Sequence, residues 1–288
     1  MIPKRIFLCG GGVNVVTHIG VLKELHRKSM LRAVREWMGV SAGALMALCI
    51  AVGYTFEELE QIYMKFDFRN IADLDSAPGW IINYGMDTGN KLRKLVEACL
   101  HIKGLSETIT FQEVHEKFKI SFRVFATDLQ LAKLITFSEV VTPTRSVVEA
   151  VTASMSIPYY FQPVIDSINS HFLMDGAVIS NYPLFMLSEV ELRDTLGIYL
   201  RTGPAPVEEL QVQDFAFRPL QIVLSSRGKF EISQYENQTI LIDIGSRNSL
   251  HLEISEKEKL ELIGMGRAAV QQYMMKSLKR ITRRYSVG

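Results

Sequence analysis

The stretch VREWMGVSAGALMALCIAV, Val34–Val52, decides the fold. Val34 to Val40 reads as a short buried strand and Ala42 to Val52 as a buried helix, the two meeting at Ser41 between Gly39 and Gly43. The uncharged run from Trp37 to Phe56 is long enough to cross a bilayer. Gly39, Gly43 and Gly53 shorten its helical part to the length of a core helix, which is the reading adopted. The same arrangement occurs upstream: Lys4 to Cys9 is a strand, Gly10 to Gly12 a loop, and Thr17 to Lys28 a helix with Ile19, Leu22 and Leu25 along one side.

Further along, Thr55 and Glu58 form a capping box at the start of a helix. Asp67 to Met86 lacks a period and reads as an irregular excursion of the kind that borders sites. A helix restarts at Asp87 or Thr88 and runs to about Leu100. Ser121 to Leu129 and Leu134 to Ser138 read as pairing strands, Ser146 to Ser154 as a helix, and Glu256 to Arg284 as one or two helices. No linker, repeat or low-complexity tract interrupts this alternation, so residues 1–288 are expected to form a single α/β domain.

Lys plus Arg (32) and Asp plus Glu (31) nearly cancel, which excludes a global field for nucleic acid and makes any membrane attraction local. Cys9, Cys49 and Cys99 show neither disulfide pairing nor metal-ligand spacing, pointing to a reducing, cytoplasmic setting with no metal. Glycines cut short the apolar segment after Lys4 and Arg5, so it is read as a strand rather than a signal peptide. A dinucleotide cofactor is not expected, because Val15 stands where a Gly-x-Gly-x-x-Gly pattern starting at Gly10 needs its third glycine.

Gly39-Val40-Ser41-Ala42-Gly43, between an apolar strand and helix, has the context of a nucleophile elbow, although a strand-to-helix turn of small residues has the same composition. The glycines let the chain turn sharply, leaving the Ser41 hydroxyl at a helix amino end that favours negative charge. Backbone amides of Gly10, Gly11 and Gly12 are candidate donors to an oxyanion. Asp175, ending the apolar run Phe172-Leu173-Met174, is a candidate base. Asp175-Gly176 is equally a common turn pair.

Taken together, the Gly10–Gly12 loop, GVSAG, Ala153-Ser154-Met155-Ser156-Ile157-Pro158 with Phe161 and Pro163, Asp175-Gly176-Ala177 and Asn181-Tyr182-Pro183 closely resemble the patatin-like phospholipase family. The similarity extends to Ala126-Thr127-Asp128-Leu129 and to the helix around Glu258 to Tyr273. It implies a three-layer α/β/α sandwich with a central, mostly parallel sheet. It also implies a cofactor-independent acyl hydrolase with Ser41 as nucleophile, Asp175 as its partner and Gly10, Gly11 and Gly12 as oxyanion loop, acting on phospholipid or another acyl lipid. The pattern departs at Asn14 and Val15, where the family usually carries a basic residue and a glycine. The departure raises two alternatives: a catalytically weakened lipid-binding protein, and a loop that needs partner or membrane contact to reach its working shape.

An α/β-hydrolase triad of Ser41, Asp175 and His251 keeps a permitted chain order, but Ser41 comes very early for that fold. His18 reads as a packed, hydrogen-bonded residue rather than a base, and His171, four residues before Asp175, as a strand-entry residue. In the last helix, Met274, Leu278, Ile281 and Tyr285 share a face opposite Lys276, Lys279, Arg280, Arg283 and Arg284. Residues 274–288 therefore either pack on the body with a solvated face or rest on an anionic bilayer and present the site to lipid.

Overall fold

The computed structural model describes residues 2–72, 84–204, 206, 212–249 and 251–285, with side chains omitted for 212–217 and 280–285. Part of the Asp67 to Met86 excursion, residues 73–83, lies outside that description. In chain order the strands are β1 (Arg5–Leu8), β2 (Glu36–Val40), β3 (Gly85–Asp87), β4 (Ser121–Asp128), β5 (Lys133–Phe137), β6 (Tyr159–Phe161), β7 (Val164–Ile165), β8 (Phe172–Asp175), β9 (Thr195–Thr202) and β10 (Thr239–Gly245). The helices are α1 (Val16–Arg27), α2 (Ala42–Ala51), α3 (Phe56–Lys65), α4 (Asn90–Ile102), α5 (Phe111–Phe118), α6 (Val147–Met155), α7 (Glu189–Arg193), α8 (Val212–Gln234) and α9 (Glu256–Tyr285).

The main sheet runs β10-β9-β1-β2-β4-β8-β7, with β5 also paired to β4, and β3 pairs with β6 in a separate small sheet. From β10 to β4 all neighbours are parallel, whereas β5 and β8 are antiparallel to β4. β1 and β2 are buried along almost their whole length and, where buried, apolar apart from Glu36, which pairs with Arg5 and Arg123, as expected of strands covered on both faces. The steps β1 to β2 and β9 to β10 move across the sheet in opposite directions, so right-handed crossovers place α1 and α8 on opposite faces. This is the expected three-layer α/β/α arrangement. On the α8 side, Tyr182 meets Phe7, Tyr199 and Tyr235 in ring contacts. On the other, α1 and α9 cross so closely that a Cβ added to Gly20 would lie 1.9 Å from the Ile263 carbonyl oxygen. Glycine to alanine inside a helix ordinarily stabilises by about 1 kcal/mol. Gly20→Ala is instead expected to lower stability by about 1–3 kcal/mol through this backbone collision, as measured by urea unfolding.

Most expected elements occur within a few residues of their predicted limits. The Thr55 and Glu58 capping box forms, Ser146 caps α6, and β4 pairs with β5 as a hairpin. The helix expected from Asp87 or Thr88 begins at Asn90, because Asp87 closes a turn instead, its Oδ1 accepting from the Gly89 amide at 2.7 Å. Among the described residues no helix is long and apolar enough to cross a membrane. α9 continues unbroken to Tyr285. It descends alongside the sheet: the Tyr273 hydroxyl donates to the Asn237 carbonyl at 3.0 Å, just before β10 begins. The basic end of α9 therefore lies near the amino ends of the parallel strands, whereas Ser41 follows the carboxyl end of β2. A bilayer touching that basic end would lie at the opposite edge of the sheet from Ser41, roughly 20 Å away along the strands.

Candidate active site

Ser41 sits in the elbow between β2 and α2 with φ 56° and ψ −137°, a conformation that side-chain-bearing residues rarely adopt. The turn is possible because its flanking residues lack side chains. A Cβ on Gly39 would lie 2.5 Å from the Gly43 carbonyl oxygen, and one on Gly43 would lie 2.4 Å from that of Leu8. The Ser41 amide donates to Ser154 Oγ at 3.0 Å, and that hydroxyl in turn donates to the Phe125 carbonyl at 2.6 Å. Ser154, from α6, thus ties the elbow to the neighbouring strand.

Sheet register brings Asp175 to the same place. Val40 pairs with Phe125, and Ala126, next along β4, pairs with Asp175 of the antiparallel β8. Gly176 lets the chain turn there, since a Cβ would lie 2.5 Å from the Phe125 carbonyl oxygen. Asp175 is buried, its Oδ1 accepts from the Ala177 amide at 2.8 Å, and the Ser41 hydroxyl faces its carboxyl group closely enough to favour the charged form. Burial pushes the Asp175 pKa up from 3.8 to about 7, against the smaller opposing pull of those two groups. A buried carboxyl group with its pKa near neutrality, beside a strained serine, is equipped to accept that serine's proton.

The glycine loop lies beside the pair, and its residues differ in role. Gly10 presses on Ser41, where a Cβ would come within 2.6 Å of the serine's own Cβ. Its amide is occupied, donating to Asn181 Oδ1 at 2.8 Å while Asn181 Nδ2 donates to the Gly10 carbonyl at 3.2 Å. Of the three expected donors, Gly10 is engaged with Asn181 and anchors the loop, while Gly11 and Gly12 remain candidate oxyanion donors. Gly12, at φ 52°, packs so closely on the Ser249 carbonyl that a side chain has no room. Ser154 and Asn181 were quoted in the family motifs, but nothing in the sequence alone assigned their bonds.

The departures at Asn14 and Val15 look different in three dimensions. Val15 has φ −62° and ψ −13°, ordinary helical geometry, so the loop needs no glycine there. This removes the reason to expect a partner or membrane to reshape it. Asn14 is 2% exposed and its Nδ2 has no hydrogen-bond partner among the described residues. His18 Nε2 donates to the Cys9 carbonyl at 2.9 Å, and burial lowers its pKa to about 4, so the ring is neutral and holds the end of β1. His171 pairs with Asp128 at 2.8 Å, and His251 is exposed and lines neither cavity at Ser41. The arrangement gives Asp175 no histidine partner among the described residues, and the triad with His251 is set aside.

Two cavities meet at Ser41. The first is almost wholly apolar, with Leu45, Leu59, Phe66, Leu92, Met155 and Tyr160 among its walls. Phe68 and Ile71, from the predicted excursion, also line it. The second is larger and more polar and runs past Gly11, Asp175, Asn181, Thr202 and Ser225. It opens between β1 and β9, where the direction of sheet winding reverses, the usual ligand crevice of an open α/β sheet. No group of His, Cys, Asp and Glu suited to a metal ion occurs among the described residues.

Removing the Asn181 side chain leaves the Gly10 amide without its partner. Asn181→Ala is expected to lower kcat for ester hydrolysis by about 10–100-fold, the loss of one buried hydrogen bond, with a smaller change in KM. Steady-state kinetics on a soluble ester check this.

A family model described as patatin-like phospholipase matches residues 6–188, a span containing Ser41, Asp175 and the Gly10 to Gly12 loop. The uncharacterized protein YqhO of Bacillus subtilis (strain 168) is 25% identical over 286 residues, covering 92% of this chain and 96% of that protein. A protein described as probable lipid hydrolase 463L, from Invertebrate iridescent virus 6, is 28% identical over 189 residues, covering 63% of this chain and 62% of its own. Among solved structures, VipD from Legionella pneumophila aligns with a TM-score of 0.66 at 16% identity, over 96% of this chain and 67% of that one, which shows a shared fold. On the span of the family match and the architecture around Ser41, this chain belongs to the patatin-like phospholipase family.

Proposed function

We propose that the protein is a serine acyl hydrolase that cleaves fatty acyl esters of glycerophospholipids or related lipids through Ser41 and Asp175. The observation that carries this reading is the strained Ser41 set beside a buried Asp175 carboxyl group at the meeting of the two cavities. In the proposed reaction Asp175 takes the Ser41 proton as the serine oxygen attacks the ester carbonyl. The amides of Gly11 and Gly12 stabilise the tetrahedral oxyanion, each well-placed donor contributing roughly 3 kcal/mol. Collapse transfers the proton to the leaving alcohol and leaves an acyl-serine. Water then gives a proton to Asp175 and attacks the acyl carbon, and the returning proton restores Ser41 as the fatty acid departs. The apolar cavity suits the acyl chain, and the more polar crevice suits the glycerol and head group.

The lipid class is tested by mass-spectrometric analysis of products from a mixture of phospholipids and triacylglycerols. Fatty acid and lysophospholipid released by the native chain, and not by Ser41→Ala, are the expected result. Release from triacylglycerol alone would remove the phospholipid assignment. Equal release by both proteins would remove the mechanism.

A further inference from the structure

We infer that the protein docks on the surface of a phospholipid bilayer through the apolar tips of two hairpins that stand above the candidate active site. This inference rests on the proposed action on lipid, because a substrate held in a bilayer must reach the apolar cavity. β4 continues past Phe125, the partner of Val40, through Asp128 before turning into β5. At about 3.3 Å per residue, that turn projects roughly 10 Å beyond the row of Ser41. The turn between β7 and β8 reaches the same level. The Leu129 amide donates to the Phe172 carbonyl at 2.9 Å, the Phe172 amide to Gln130 Oε1 at 2.7 Å, and His171 pairs with Asp128. The two tips therefore form one joined surface.

That surface exposes four large aliphatic side chains among uncharged polar ones, Gln130, Ser167, Asn169 and Ser170. Leu131 and Ile168 are 50% and 73% exposed, and Leu129 and Ile165 are exposed beside them. Tyr84, also exposed, rests on Phe172 with ring centroids 5.3 Å apart. Next to it in the small sheet, exposed Tyr159 directly precedes Tyr160 and Phe161, which line the apolar cavity. The patch is thus continuous with the cavity wall. Its charge also suits lipid: the carboxylates of both turns, Asp128 and Asp166, are buried and bonded internally, while Lys133 is exposed. Apolar tips with a cation and no exposed carboxylate match the acyl boundary and the phosphates of a bilayer surface.

Cosedimentation of the full chain with vesicles of phosphatidylcholine, alone and mixed with phosphatidylserine, tests the inference. Ser41→Ala is expected to bind vesicles as the native chain does. Leu131→Asp combined with Ile168→Asp is expected to bind at least about tenfold more weakly, while hydrolysing a short-chain soluble ester at the native rate. Val140→Asp, at a highly exposed position beyond the other end of β5, is the control and is expected to bind normally. The inference is overturned if the native chain does not bind vesicles, if the tip variant binds like the native chain, or if Val140→Asp weakens binding equally. Failure of the native chain to hydrolyse any ester while vesicle binding still depends on the tips would remove the proposed function and leave the docking surface standing.

Discussion

Ser41→Ala is expected to lower fatty-acid release by roughly 10⁵-fold, because the proposed acyl intermediate forms on the Ser41 oxygen. The drop should fall on kcat, with lipid binding retained, since both cavities keep their walls. A companion variant separates chemistry from backbone strain. At φ 56° and ψ −137°, any residue with a Cβ is strained, so alanine does not relieve the elbow. Ser41→Gly does, and is expected to be equally inactive yet more stable than the native chain by about 1–2 kcal/mol. Thermal unfolding of the two variants side by side reads the difference. A Ser41→Gly protein no more stable than native would mean that the elbow is not held against its backbone preference.

Asp175→Asn has the second large effect, and it moves activity and stability in opposite directions. The variant keeps the shape of the side chain and the acceptor for the Ala177 amide but has no carboxylate to take the serine proton, so turnover should fall by about 10³-fold or more. Stability follows from the raised pKa. An unfolded aspartate loses its proton near 3.8, whereas burial holds the folded one protonated up to about 7. Between those values the folded state binds more protons than the unfolded, so the contribution of this group to stability declines as pH rises through the interval. The full difference corresponds to about 4 kcal/mol. Asp175→Asn lacks this penalty and is expected to be more stable than the native chain at pH 8, with the advantage shrinking toward pH 4. Urea unfolding at the two pH values checks the sign. An advantage that grows on acidification would contradict the buried, raised carboxyl group.

The elbow was legible in sequence because everything that makes it is local: a buried strand, two glycines that admit close backbone approach, and a buried helix. Asp175 was legible only in part. Its Asp-Gly pair reads as a turn from composition, and what brings it to Ser41 is the antiparallel register of β8 on β4, which no local pattern encodes. Ser154 and Asn181 act through bonds to backbone groups 113 and 171 residues away. Their chemistry is ordinary and only their position is special, so residue type carried no signal. The reverse holds for Val15, where the missing glycine suggested a loop problem that the helical backbone at that residue does not have.

Elsewhere the limits were of two kinds. The Thr110 and Glu113 capping box of α5 was present in the sequence and passed over. β9 and β10 are short apolar runs whose lack of period does not separate a buried strand from a buried helix. They matter to the site because β9 borders the crevice that opens beside Gly11. The helix predicted over Glu256 to Arg284 occurs as α9, but the distance of its basic end from Ser41 depends on strand polarity, which only the sheet order reveals.

The central claim is that the Asp175 carboxylate activates Ser41. It is tested most directly by the rate at which a fluorophosphonate probe labels Ser41 as pH is varied, with the adduct located by peptide mass mapping. The account predicts labelling at Ser41 alone, rising about tenfold per pH unit and levelling off above about 7, the value to which burial raises Asp175. It also predicts that Asp175→Asn abolishes this rise. Labelling at another residue, or the same pH profile in the presence and absence of the Asp175 carboxylate, would contradict it.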